Sequence, residues 1–175
     1  MLSDEEIRTL VGADNPAITG LKSMAYTTSN APIQASSIDL SVGEIFRPQH
    51  GLWREILTGE GGQAHTEVAL SQGETVTIRT LEKLALPRDV AGIAFAPSAL
   101  STLGLMMTNT GHVDPGYAGF LHMTVINMGK NPCVIRCGDR LVSLMLFKVS
   151  GNVRKSWLER RTIKPGDEAR FIEKA

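Results

Sequence analysis

The sequence is short of several features that mark specialised classes of protein. Only 2 of the 175 residues are cysteines, and Lys+Arg and Asp+Glu both number 18, so the formal net charge is zero. A balanced charge gives no indication of a basic surface for nucleic acid or of a polybasic membrane anchor. No apolar run reaches the roughly 18–20 residues of a transmembrane helix. We therefore expect neither nucleic acid nor a membrane as a partner.

The N-terminal segment lacks the features of a targeting sequence. Residues 1–10 contain three adjacent acidic side chains, whereas a signal peptide begins with basic residues followed by an apolar stretch. The sequence thus predicts a cytoplasmic protein. Hydrophobic residues make up 42% and charged residues 21%, which is ordinary for a globular chain. We expect one domain over 1–150 and a charged tail over 151–175.

The two cysteines suggest a metal motif that the spacing argues against. Cys133 and Cys137 lie four residues apart in a predicted strand, about 13 Å along it, which is too far for a disulfide. Zinc-dependent nucleobase deaminases carry H-x-E and then P-C-x-x-C. Here His65 and Glu67 fit the first part, but three residues separate the cysteines after Pro132, and the intervening sequence is a poor helix start. We expect free, half-buried cysteines and no metal site.

A short helix opens the chain. Ser3 is followed three residues later by Glu6, which is the pattern of a capping box. Apolar residues then recur at helical spacing, so the sequence predicts a helix over about 3–12. Residues 97–103 are compatible with one or two helical turns, with Pro97 near the first helical position.

Most of the remaining sequence indicates short strands. The chain has 17 glycines and 8 prolines, which favour frequent turns. Residues 37–43 alternate apolar and polar side chains, and 75–80 are rich in β-branched residues. The strand at 37–43 is predicted to continue through 44–46, and 84–87 is predicted as a strand end with Pro87 as its cap. Further strands are predicted at 68–70, 92–96, 120–127, 133–136 and 140–149. A mainly β fold follows, a distorted β-barrel or jelly-roll with a short N-terminal helix.

Seven short segments carry a family resemblance. They are LSDEEI at 2–7, IQASSIDL at 33–40, TLEKLALP at 80–87, SALSTLGL at 98–105, HVDPGYAG at 112–119, NMG at 127–129 and CGDRL at 137–141. In order and spacing the chain resembles the dCTP deaminase branch of the dCTP deaminase/dUTPase superfamily. The resemblance implies a dUTPase-like β-barrel in a homotrimer with sites at subunit interfaces. Its ligands would be pyrimidine deoxynucleotides, with dCTP deaminated or dUTP hydrolysed to dUMP and pyrophosphate.

Two residues of the D-P-G-Y turn match the family's sugar site. The resemblance implies that Asp114 orients a water molecule or contacts the deoxyribose 3′-hydroxyl, and that Tyr117 packs on the sugar. A carboxylate beside an aromatic ring suits a nucleoside, because one acceptor fixes a hydroxyl and the ring supplies an apolar wall. The alternative is an ordinary β-turn, in which Asp-Pro-Gly is common.

The strand after this turn departs from the family pattern. Deaminases carry a glutamate five residues past the last glycine of the motif, and this chain has Thr124 there. A threonine hydroxyl does not titrate near neutral pH, so it cannot shuttle protons as the glutamate does. His122 lies two residues earlier on the same strand face and titrates in the right range, so it is a candidate substitute. The alternative is a structural histidine.

The part of the site that would bind phosphate has also lost its basic residues. The family's R-S-S-L-A-R corresponds to 97–102, where Ser98 is kept and both arginines are lost. The family's D-L-R-L-G keeps Asp39 but has Ser41 for its arginine, and a later glutamine corresponds to Ser143. Losing three arginines should weaken triphosphate binding by several kcal/mol, at about 1.5–3 kcal/mol for each charged hydrogen bond. No cofactor is expected, apart from Mg²⁺ accompanying a triphosphate ligand.

Three classes of function therefore stay open. The protein is an enzyme with rearranged catalytic groups that hydrolyses its substrate through Asp114, or a catalytically silent trimer that binds a nucleotide, or an interaction module whose pocket is unused. The candidate residues are Asp114 and His122 for catalysis and Asp39, Ser98, Tyr117 and Thr124 for substrate binding. The apolar run 141–147 predicts a strand covered on both faces, which we take with the motifs as favouring a homotrimer.

Overall fold

A computed structural model describes residues 1–21, 31–49, 52–55, 67–108 and 111–154. The helices in this part of the chain are α1 (Asp4–Gly12) and α2 (Ser98–Thr102). The strands in it are β1 (Ile18–Thr19), β2 (Ile38–Gln49), β3 (Leu52–Glu55), β4 (Glu67–Leu70), β5 (Thr75–Ala85), β6 (Val90–Phe95), β7 (Leu105–Thr108), β8 (His112–Val113), β9 (Ala118–Asn127), β10 (Cys133–Arg136) and β11 (Arg140–Lys148).

The predicted N-terminal helix is confirmed together with its cap. The Glu6 amide donates to Ser3 Oγ at 3.3 Å, and the Ser3 amide donates to Glu6 Oε2 at 2.9 Å. This reciprocal pair satisfies two of the amides that a helix start leaves without partners. Ile7 and Val11 then lie on the buried face of α1 and join the core.

The strands build one large antiparallel sheet, which confirms the mainly β class. Among the described residues its order is β7-β9-β5-β2-β11-β6-β8, with β1 on β5 and β3 on β2. A separate antiparallel pair is formed by β10 and β4. One face of the large sheet holds the core, for example Leu40, Ile78, Val125 and Leu144, each fully buried. Residues that alternate with these lie on the outer face and include the candidate site residues Asp39, His122 and Thr124.

The first half of the strand β11 is buried on both faces within a single chain. Its residues 141–144 are all buried, including Ser143 at 7% exposure. The apolar run thus correctly predicts a central strand, which pairs with β2 and β6. Met145 and Phe147 in the second half of the run are only half-buried, so a single chain accounts for the cover of 141–144 and the homotrimer stays a prediction.

Two predicted elements differ from the structure. The run 75–80 and residues 84–85 of the run 84–87 belong to one strand, β5, whose pairing with β9 shifts between Arg79 and Lys83. At this irregularity β2 approaches closely, since a Cβ on Gly43 would lie 2.8 Å from Leu81 Cα. Pro97 is the N-cap of α2 rather than its first helical residue, because its ψ of 145° is extended.

Some predictions fall on residues outside the described ranges. The glycine-rich segment 58–64, His65 of the rejected zinc motif and most of the tail 151–175 belong to this group. Within the described ranges, neither helix is long and apolar enough to cross a membrane.

Candidate functional site

Four of the six candidate site residues, Asp39, Asp114, His122 and Thr124, define two separate regions on the outer side of the sheet, whereas Tyr117 lies in the turn after Asp114 and Ser98 lies in α2. Residues paired across neighbouring strands share a face, so the strand register defines each region. We call the first the Asp114 face, which comprises Asp39, Ser143, Met145, Phe95, Ile93, His112 and Asp114. We call the second the His122 face, which comprises Glu44, Phe46, Thr77, Arg79, His122, Thr124 and Thr108.

The turn that carries Asp114 is fixed by backbone hydrogen bonds. The Tyr117 amide donates to the Asp114 carbonyl at 3.0 Å, and the Gly116 amide donates to the Pro87 carbonyl at 3.1 Å. Gly116 has a φ of 77°, which L-residues with side chains rarely adopt. The Leu86 amide donates to the Tyr117 carbonyl at 2.8 Å, so the end of β5 also holds the turn.

Asp114 lies next to a histidine that sequence reasoning did not select. His112 Nε2 is 3.2 Å from Asp114 Oδ1. The His112 side chain is 71% exposed and the Asp114 side chain only 21%, so the carboxylate is the more enclosed of the two. The available signal was the H-x-D spacing, which places two side chains on one face of an extended segment.

Tyr117 is held by its own hydroxyl. This group donates to the Phe120 carbonyl at 2.7 Å, and the Gly119 backbone lies against the ring. The ring is half-buried beside the core, and this burial raises the pKa of Tyr117 above its ordinary value. A neutral, fixed ring can serve as a wall for a ligand, and it cannot act as a base at neutral pH.

On the His122 face, the Thr124 hydroxyl contacts the hydroxyl of a second threonine. Thr124 Oγ1 lies 3.3 Å from Thr77 Oγ1 on β5. Thr108 on β7 pairs with Thr124 from the other side. The position of the family glutamate is therefore part of a row of threonines across three strands. Such a row has hydrogen-bonding capacity but no group that titrates near pH 7.

The surroundings of His122 favour its neutral form. Arg79 is its register partner, forms an ion pair with Glu44, and lies 4.4 Å above the Phe120 ring. Although His122 is an exposed residue, desolvation by the packed atoms lowers its pKa, and the Arg79 charge lowers it further. The Phe46 ring centroid is 6.4 Å from that of His122. A neutral imidazole of this kind can accept a proton at pH 7.

The positions expected to bind phosphate provide polar but uncharged groups. Ser98 is exposed at the start of α2, a helix of five residues without a basic or acidic side chain in its end turns. The Asp39 carboxylate accepts from Ser143 Oγ at 3.0 Å and from Gln34 Nε2 at 3.4 Å. Asp39 thus has partners within the chain. The family motif would supply two arginines at this helix. Within α2, all of whose residues the structure describes, no basic side chain replaces them.

The groove beside α2 is apolar. It has a volume of about 450 Å³ and is lined by Ala96, Ser101, Gly104, Leu105, Met106, Met107 and Met128. None of these side chains carries a charge, so the groove does not suit a phosphate group.

The structure brings the predicted residues together only in part. Asp114 and Tyr117 share one turn, and His122 shares a strand face with Thr124. Asp39 lies on β2 with its partner Ser143, three strands away from β8 in the sheet order. Both cysteines are free, as expected from their spacing. Among the described residues there is no cluster of three or more side chains able to hold a metal ion.

Known proteins of similar sequence share one description. A family model described as dCTP deaminase-like matches residues 1–149. The dCTP deaminase of Shewanella amazonensis is 29% identical over 163 residues, which cover 82% of this chain and 84% of that protein. The dUMP-forming dCTP deaminase of Nocardia farcinica is 30% identical over 165 residues, covering 86% and 77%.

Solved structures agree on the fold. The 2′-deoxycytidine 5′-triphosphate deaminase of Agrobacterium tumefaciens superimposes with a TM-score of 0.61 at 24% identity. The match covers 83% of this chain, which spans 46% of that deaminase chain. The EIAV dUTPase superimposes with a TM-score of 0.51 at 20% identity, covering 84% and 98%. These likenesses confirm a dUTPase-like fold, and with the match over residues 1–149 the chain belongs to the dCTP deaminase-like family.

Proposed function

We propose that the protein binds a pyrimidine deoxynucleotide at sites shared between the subunits of a homotrimer, and that it deaminates dCTP very slowly or not at all. It would thereby act in deoxynucleotide metabolism, and its cytoplasmic location stays a prediction. The family, whose relatives are named for dCTP, supports the ligand class. The substitution at Thr124 supports the loss of ordinary deamination.

The observation that carries the proposal is the intact turn at Asp114. A partly enclosed carboxylate and the fixed ring of Tyr117 are held in one turn by backbone hydrogen bonds. In this proposal the carboxylate fixes a sugar hydroxyl or a water molecule, either directly or through a neighbouring group. Tyr117 gives the sugar an apolar wall, which favours a deoxyribose.

The separation of the two faces supports sites that two subunits share. The first half of β2, with β11, β6 and β8, carries the Asp114 face, whereas the second half of β2, with β5, β9 and β7, carries the His122 face. A ligand that touches both Asp114 and Thr124 fits more readily between two copies of the chain. Sedimentation should therefore give the mass of three subunits, and a mass near one subunit at micromolar concentration would contradict the homotrimer.

A catalytically silent binding protein is the second candidate, and an unused pocket the third. Two observations favour binding without catalysis. They are the hydroxyl contact between Thr77 and Thr124 and the uncharged groove beside α2. Hydrolysis through Asp114 is the chemical alternative, in which neutral His122 would accept a proton. A triphosphate ligand would bring its own Mg²⁺.

One substitution separates these readings. Asp114→Asn keeps the size of the side chain and its ability to sit in the turn. If the pocket binds a ligand, the substitution should weaken binding of dCTP or dUTP by roughly 1–3 kcal/mol, the cost of a lost buried hydrogen-bond partner. The measurements are turnover, the ligand-induced rise in melting temperature and the sedimentation mass, for wild type and variant together.

The outcomes differ for each reading. Loss of turnover with an intact trimer identifies an enzyme that uses Asp114. Loss of the ligand-induced rise in a protein without turnover identifies a silent binding protein. If the substitution changes neither quantity, Asp114 only closes a β-turn and the proposal fails.

A further inference from the structure

We propose that His112 contacts the nucleoside part of the ligand and that Asp114 is a positioning residue that holds the His112 imidazole. This inference rests on the proposed function and assigns the ligand contact to a residue that the D-P-G-Y turn does not include. It changes the role of Asp114 from a ligand contact to a support.

The geometry places the imidazole in front of the carboxylate. His112 lies in β8, which is the last strand at one end of the described sheet order. Its side chain is 71% exposed, while the Asp114 side chain, 3.2 Å away, is only 21% exposed. The imidazole is therefore more accessible than the carboxylate to a ligand that approaches the Asp114 face.

The contact also fixes the chemistry of the ring. When Nε2 carries the proton it donates to Asp114 Oδ1, and Nδ1 keeps its lone pair. A carboxylate that orients an imidazole in this way sets both its tautomer and its direction. Nδ1 is then an acceptor for a hydrogen-bond donor, such as a sugar hydroxyl or an exocyclic amino group. Both are groups of the nucleoside and not of the phosphates.

An apolar floor lies beside the imidazole. Ile93 on β6 is the register partner of His112 and is 43% exposed, and Met145 on β11 continues the row. An exposed isoleucine beside a polar pair suits the flat, weakly polar part of a nucleoside. The row Met145–Ile93–His112 thus combines an apolar surface with one oriented acceptor, the combination that a nucleoside needs.

The uncharged lining of the groove beside α2 bears on the choice of ligand for the test. With no charge among the side chains of the groove, the ligand's phosphates have little to hold them there. Deoxycytidine, which lacks phosphates, is the appropriate probe beside dCTP.

The test is a double-mutant cycle on the full chain. The variants are His112→Ala, Asp114→Asn and the two combined, with His112→Gln as the conservative replacement. Affinities for deoxycytidine and dCTP are measured by calorimetry at one pH, and melting without ligand is recorded for each variant. Asp89→Asn is the matched control, because it breaks an exposed pair with Lys148 outside the site.

We expect His112→Ala to weaken both ligands about tenfold or more, the usual effect of a lost hydrogen-bond partner. Asp114→Asn should cause a similar loss, and the double variant should bind no worse than His112→Ala, because both act through one contact. His112→Gln should recover part of the affinity, since its amide can donate to Asp114 and still offer an acceptor. The control should bind like wild type.

Other results would overturn the inference. If His112→Ala binds like wild type while Asp114→Asn binds weakly, Asp114 contacts the ligand itself, and the proposed function survives without the inference. If the two losses add fully, the residues act independently and the inference is wrong. If wild type binds neither deoxycytidine nor any pyrimidine deoxynucleotide, the proposed function fails as well.

Discussion

The Asp114 face and the His122 face belong to one sheet but differ in the groups that they present. The first combines a carboxylate, an exposed imidazole and an apolar floor. The second has an ion pair, a neutral histidine and a row of threonines, with no carboxylate in the place of the family glutamate. The comparison indicates that features suited to holding a nucleoside persist on one face, while the proton-transfer group is missing from the other.

The difference has a structural reason. The conformation of the Asp114 turn is maintained by main-chain hydrogen bonds and by a positive φ at Gly116. A strand such as β9 fixes only the direction of each side chain, so Thr124 fits where a glutamate would and pairs with Thr77. Changes of side chain on a strand face therefore alter the chemistry while leaving the fold intact.

The largest expected effect concerns deamination. Without the glutamate, ammonia release from dCTP should be slower than a typical enzyme's rate of about 1 per second by the roughly 10²–10⁴-fold that an acid–base group contributes. A coupled assay for ammonia checks this. Release at an ordinary enzymatic rate would show that another group transfers the proton. The variant His122→Gln would then show whether that group is His122.

The second prediction tests whether the two faces share one core. Leu144 lies behind the Asp114 face and Ile78 behind the His122 face, and both are fully buried. Leu144→Ala and Ile78→Ala should each lower the free energy of unfolding by about 2–5 kcal/mol. Urea unfolding measures this, with exposed Leu103→Ala as the control. A small effect at one position only would mean that the two faces unfold separately.

A third prediction sharpens the description of the threonine row. Thr124→Val removes one partner of the hydroxyl contact with Thr77 and should cost about 0.5–1.5 kcal/mol of unfolding free energy. The double variant Thr77→Val with Thr124→Val should recover most of this loss, because no unpaired hydroxyl remains. If the two single costs simply add, the hydroxyls do not form a hydrogen bond.

The smallest expected effect is a dependence on pH from His122. Its pKa is lower in the folded chain than in the unfolded chain, where it has its ordinary value. The unfolded state therefore binds more protons as the pH falls below about 6.5, so stability decreases on the acid side. The exposed position limits the loss to less than about 1 kcal/mol. His122→Gln should flatten the unfolding free energy between pH 7 and pH 5, and an unchanged slope would contradict the assignment.

Local sequence signals predicted much of the fold. The Ser3 and Glu6 pair marked α1, and the alternation over 37–43 marked β2, because each signal depends only on neighbouring residues. The sequence did not show that β5 continues through its irregularity, since that depends on the close approach of Gly43 on another strand. The two-residue strand β8 was too short to give a periodic pattern.

The site was less predictable than the fold, because the register between paired strands brings its residues together. Asp114 and Tyr117 were found from a motif, and their turn is local. The contact of Thr124 with Thr77 joins residues 47 positions apart and follows only from how β5 pairs with β9. The H-x-D spacing placed His112 next to Asp114, but the role that we propose for His112 depends also on its exposure beside a more enclosed carboxylate, which the spacing does not show.

The most direct test of the account is a crystal structure of the protein soaked with dCTP. The account predicts a nucleoside bound on the Asp114 face, over Ile93 and within hydrogen-bond distance of His112. A ligand bound away from this face, or a nucleoside out of reach of His112, would contradict it.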